Sequence, residues 1–167
     1  MTPITFWFDP VSPYAALAFE RLPAALAGCS CVVDYRPVLL AGLLKHWGQL
    51  GPAEIAPKRD WTYRQVLWLA HAHGVPLQLP AAHPFNPLGA LRLALACGEG
   101  GRVNRFVAET VFRQVWRGGA DAADPWPAMS GTCPIAAAAV GLCQSALPDG
   151  RSTHILRTRC RSGPQEG

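Results

Sequence analysis

No apolar run in the 167 residues is long enough to cross a bilayer, which excludes a membrane-spanning helix. The N-terminus has neither the basic segment nor the apolar segment of a secretion signal, so the cytoplasm is the expected location. Charge is scarce, at 16% of residues and a net +4, and no block of positive residues gathers before the tail. Nucleic acid is therefore not an expected partner. The 6 cysteines show no metal-type spacing. Cys29 and Cys31 are too close to pair comfortably, and Cys97, Cys133, Cys143 and Cys160 read as core residues or free thiols. His71 and His73 stand two apart on a helical stretch and face different ways, which suits no shared metal ion. What remains is a chain that is 50% hydrophobic, enough for one domain or a domain with an insertion.

The most informative stretch is Phe6-Trp7-Phe8-Asp9-Pro10-Val11-Ser12-Pro13-Tyr14. Residues 4–8 read as a buried strand, aromatic and β-branched, bounded by Pro3 and by Asp9-Pro10. Trp7, in mid-strand, is expected in the core, and Asp9 is expected to form a turn. Pro13 has the fixed φ of a first helical residue, which makes Ser12 its N-cap. Apolar spacing continues through Tyr14, Leu17, Ala18, Leu22 and Leu26. A hydroxyl there faces free backbone N–H groups and the positive end of a helix dipole, a place that suits an anion, a thiolate included. The same serine also reads as a plain structural cap.

Further along, residues 31–36 alternate as a second strand, so strand, helix and strand form a β-α-β unit. The spacing then predicts helices over 58–73, with Trp61, Gln65, Trp68, Leu69 and Ala72 on one face, over 88–97, and over 102–116. The last has the cleanest period, through Val103, Phe106, Val107, Thr110, Val111 and Val115. Residues 75–87, with prolines at 76, 80, 84 and 87, read as a rigid loop.

The run Phe8-Asp9-Pro10-Val11-Ser12-Pro13-Tyr14-Ala15-Ala16-Leu17-Ala18 resembles the opening of the DsbA-like, kappa-class glutathione transferase family, and within it the 2-hydroxychromene-2-carboxylate isomerases. Relatives that exchange disulfides carry Cys-x-x-Cys at this turn. Here it reads Ser12-Pro13-Tyr14-Ala15, which argues for a serine that handles the sulfur of another molecule. The resemblance implies an α/β, thioredoxin-like fold with an inserted all-helical domain: residues 1–37 as the N-terminal β-α-β, 38–125 as the insertion. It runs from about residue 4 to about residue 125. Residues 126–167 lack the family's closing strands and cis-proline segment, and read as a lost or replaced C-terminal half, out of frame or disordered.

The resemblance also assigns roles. Ser12 would hydrogen-bond the thiol of glutathione, the implied cofactor, and favour its thiolate, with Tyr14 beside it. Lys45 would meet a carboxylate of substrate or glutathione, although a solvated lysine is the plainer reading. Glu54 stands where the isomerases place an asparagine on the substrate. His83 stands near a substrate-contacting tyrosine of the isomerases, and Asn86 shares its proline-stiffened loop, where it also reads as a helix cap. The implied activity is glutathione-dependent cis–trans isomerisation of a small aromatic hydroxy-acid, in the breakdown of aromatic compounds, with a homodimer as the expected assembly. A kappa-type transferase, a DsbA-like oxidoreductase relative and an inactive thioredoxin-like protein are the alternatives.

Overall fold

The computed structural model describes residues 1–117, which all belong to one compact unit. The expectations for residues 126–167 lie outside the described residues. Strand β1 (Thr2–Phe8) leads through a short loop into helix α1 (Pro13–Ala25), and β2 (Cys31–Pro37) returns beside β1. The strands pair in parallel, from Thr2 opposite Cys31 to Phe8 opposite Pro37, and among the described residues they form a 2-stranded sheet. Val103 adds an antiparallel bridge to β2, its N–H donating to the Tyr35 carbonyl at 2.9 Å. Then follow α2 (Leu40–His46), a single 3₁₀ turn (Pro52–Glu54), α3 (Ala56–Ala72), α4 (Leu88–Ala96) and α5 (Arg105–Trp116).

The core lies where α1, α4 and α5 meet the sheet. Phe8, Phe19, Tyr35 and Phe112 form its aromatic centre, with Phe19 and Phe112 ring centroids 5.1 Å apart and Phe8 and Phe112 5.3 Å apart. Arg105 closes one side, its guanidinium over the Phe19 ring and one Nη donating to the Tyr35 hydroxyl. On the α1 side of α5, Arg117 pairs with Glu20 at 2.8 Å. The pair is partly exposed and contributes little to stability.

Several expected faces are different in the structure. Trp7 is 59% exposed, with the Arg36 guanidinium above its ring, because alternation along β1 turns Phe6 and Phe8 to the core and Trp7 away from it. On α3 the buried residues are Thr62, Val66 and Ala70, while Trp61 and Trp68 are exposed. Small side chains at those buried positions let α3 approach Leu17 of α1, a contact the bulky tryptophans would block. On α1 the buried set is Pro13, Ala16, Leu17 and Phe19, leaving Tyr14 and Ala18 outward. Helix α5 starts later than the apolar period suggests, because Asn104 caps it by accepting from the Val107 N–H at 2.9 Å.

Candidate functional site

Ser12 caps α1 as its sequence predicts: Oγ accepts the Ala15 N–H at 3.3 Å, and Pro13 occupies the first helical position. The loop before it is fixed by an almost complete set of bonds. The Phe8 carbonyl accepts from the Val38 N–H at 2.8 Å, and the Asp9 carbonyl from the Ser12 N–H at 3.0 Å. The Pro10 carbonyl accepts from the Trp116 indole at 2.9 Å, and the Val11 carbonyl from His83 Nε2 at 2.7 Å. The Ser12 carbonyl accepts from the Ala16 N–H at 3.2 Å. Every carbonyl from Phe8 to Ser12 is therefore engaged. Pro13 has no N–H, so the first open backbone donor is that of Tyr14, which has no partner among the described residues. Together with the Ser12 hydroxyl hydrogen, this leaves two donors open, among the described residues, at the N-terminus of a 13-residue helix.

Asp9 does more than turn the chain. It is 3% exposed, and its carboxylate accepts the Val11 N–H at 3.0 Å and the Leu40 N–H, at the start of α2, at 2.8 Å. Burial pushes its carboxyl above the ordinary range, and the two amides hold that rise back.

His83 is built into the same loop. A carbonyl only accepts, so Nε2 carries the hydrogen given to Val11, and Nδ1 of the neutral ring accepts from the Tyr63 hydroxyl at 2.7 Å. The ring lies among Tyr63, Phe85 and Trp116 at centroid distances of 5.5–6.1 Å. Burial lowers its pKa, which favours this neutral form, while the bond to Val11 pulls the other way. The structure thus gives both ring nitrogens of His83 partners inside the protein.

The other expected residues are spread out. Tyr14 is outward, its hydroxyl bonded to Gln65 of α3. Lys45 is exposed in the last turn of α2, where a cation complements the helix dipole. Glu54 turns its carboxylate back to the Gly51 N–H at 2.7 Å, and Asn86 accepts the Leu88 N–H at 3.1 Å at the start of α4. Ser12 and His83 are brought together through Val11. Lys45, Glu54 and Asn86 make no hydrogen bond to that loop. Sequence reasoning missed Tyr63 and Trp116. Only the aromatic residue closing the apolar stripe of α5 hinted at the second, and Tyr63 carries no local signal.

A parallel β-α-β whose first helix opens on Ser12-Pro13, with helices following β2, is the opening expected of a thioredoxin-like protein. The match of residues 3–130 to the DSBA-like thioredoxin domain model goes further: the chain belongs to that family. It is 29% identical over 123 residues to 2-hydroxychromene-2-carboxylate isomerase of Sphingobium xenophagum, covering 72% of this chain and 62% of that relative. It is 28% identical over 78 residues to glutathione S-transferase kappa 2 of Caenorhabditis elegans, covering 46% of this chain and 35% of the transferase. With glutathione S-transferase kappa 1 of Rattus norvegicus the identity is 30% over 77 residues, 46% of this chain and 34% of that one. The chain thus spans less than two thirds of the length of these relatives. A solved 2-hydroxychromene-2-carboxylate isomerase superposes with a TM-score of 0.61 at 21% identity, over 95% of this chain and 77% of that structure, which establishes the shared fold.

Proposed function

We propose that this protein holds glutathione at Ser12 and uses it to isomerise the double bond of a small aromatic hydroxy-acid. The observation that carries the reading is the N-terminus of α1, where the carbonyls from Phe8 to Ser12 each accept a hydrogen bond. The residues present fit a thiolate: among the described residues the Ser12 hydroxyl hydrogen and the Tyr14 N–H have no acceptor, and the helix dipole adds its positive end. The names of the isomerase and kappa-class relatives support the choice of thiol and of substrate class.

When bound, glutathione would supply a nucleophilic thiolate, the chemistry that reversible addition to a conjugated carbon needs. Ser12 would hold it by donating its hydroxyl hydrogen to the sulfur, which favours the thiolate. The Tyr14 N–H offers a second donor. His83 and Trp116 hold the Val11 and Pro10 carbonyls back from that sulfur, while the Asp9 carboxylate fixes the loop through the Val11 and Leu40 amides. Lys45, the exposed cation at the end of α2, is available to a carboxylate. One carboxylate oxygen of Glu54 and the side-chain oxygen of Asn86 serve local amides. The cytoplasm, where glutathione is abundant and reduced, is the compartment this reading requires.

A kappa-type transferase is the second reading, favoured by the kappa relatives. The deciding experiment titrates the purified protein with glutathione and then follows substrate with glutathione at a catalytic concentration. Turnover that leaves glutathione undiminished supports isomerisation, and consumption in step with product supports transfer. Absence of glutathione binding sinks both.

A further inference from the structure

Resting on the reading of Ser12 as a glutathione anchor, we propose that His83 is a positioning residue for the turn before that anchor, holding the Val11–Ser12 peptide so that its carbonyl stays off the N-terminus of α1, with Tyr63 bonded to the second ring nitrogen. That peptide has one polar atom on each side. Its carbonyl accepts from His83 Nε2 at 2.7 Å, and its N–H donates to the Asp9 carbonyl at 3.0 Å. A plane pinned at both atoms cannot rotate without losing a bond. Its rotation would change ψ of Val11 and φ of Ser12, the latter now at −88°. The imidazole therefore sets where the Val11 carbonyl stands in the turn before Ser12.

The task is chemically specific. Neutral imidazole has two tautomers, and only the one with hydrogen on Nε2 satisfies Val11. The Val11 carbonyl, which only accepts, selects it, and the Tyr63 hydroxyl, 2.7 Å from Nδ1, then donates to the other ring nitrogen. An apolar ring at position 83 would keep the packing against Phe85 and Trp116 but leave the Val11 carbonyl without its donor. A released carbonyl is free to swing toward the helix N-terminus and set an acceptor among the donors that await a thiolate.

The test uses the full chain with His83→Phe, His83→Gln and Tyr63→Phe. Three readouts are taken: the thiol pKa of bound glutathione from its thiolate absorbance, hydrogen exchange at the Ser12 amide, and the unfolding midpoint. His83→Phe is expected to raise the bound thiol pKa, speed Ser12 exchange and cut kcat roughly tenfold or more, with KM for glutathione changing less, the size typical of a lost orienting partner. His83→Gln, which keeps an N–H donor, is expected to recover part of each. Tyr63→Phe removes a single oxygen, carries the test if His83→Phe does not fold, and is expected to shift the same readouts in the same direction. Unchanged thiol pKa and unchanged Ser12 exchange in a folded variant overturn the proposal. The glutathione reading fails separately, if the unsubstituted protein does not lower the thiol pKa or if Ser12→Ala leaves it lowered. Ser12 amide exchange in the His83 and Tyr63 variants then decides the positioning role alone.

Discussion

The indole Nε1 of Trp116 donates to the Pro10 carbonyl at 2.9 Å, joining the last residue of α5 to the loop before Ser12 across 106 positions of sequence. The bond is buried, and Trp116 itself is 2% exposed. Helix α5 therefore acts as a post for the loop as well as a wall of the core.

Trp116→Phe keeps most of the ring and removes the donor. The Pro10 carbonyl is then buried without a partner, at a cost of about 1–3 kcal/mol. Denaturant unfolding of the two proteins measures it. A difference near zero would mean that water or a loop shift replaces the indole.

Ser12→Ala removes a cap and should lower stability by about 1 kcal/mol. Glutathione binding and isomerisation should fall far more than that loss explains. Calorimetric titration beside thermal unfolding separates the effects, and a serine that serves only as a cap would lower stability alone. Ser12→Cys should remain a poor dithiol oxidase, because Ala15 stands where a resolving cysteine would be needed. Rapid oxidation of a dithiol substrate by that variant would contradict this.

Acid should weaken the fold through His83. Burial depresses its imidazole below the ordinary value of 6.5, so the unfolded chain takes the proton more readily. Its contribution to stability is fully present above about pH 6.5 and is lost as pH falls from there through the lower folded value. Asp9 runs the other way. Its carboxyl is raised from 3.8, so the cost of burying its charge is absent below that value and grows as pH rises through the raised one. Between about pH 7 and about pH 5 the His83 effect should give a falling unfolding free energy that His83→Phe lacks. Parallel pH profiles for the two proteins would rule this out.

The α3 interface offers a contrast. Val66 is 0% exposed against Leu17, and Val66→Ala should destabilise by about 2 kcal/mol as two buried methyl groups are lost. Trp68 is 65% exposed, and Trp68→Ala should change stability by no more than about 0.5 kcal/mol. Equal effects in chemical denaturation would show that the exposed tryptophan face is covered in solution.

Elements with strong local signals were legible. Pro13 after Ser12 marked the start of α1, the alternation through Val33 and Tyr35 marked β2, and the period through Val107, Val111 and Val115 marked α5. Which face of a helix is buried was less legible. The tryptophans of α3 outweigh Thr62, Val66 and Ala70 in any hydrophobic count, yet close helix contact selects small residues. A mid-strand position does not say which face Trp7 takes; Phe6 and Phe8 on either side set the inward phase and leave it outside. At the site, the cap by Ser12 was readable because it is local. The fastening of its loop was not, since His83 reaches Val11 across 72 positions and no short-range pattern encodes that.

A turn whose carbonyls are all engaged carries its charge preference in the backbone, not in its side chains. Exchanging the hydroxyl at position 12 for a thiol changes the chemistry offered but not the sign of the charge that is welcomed. The scaffold and the reagent are thus separable.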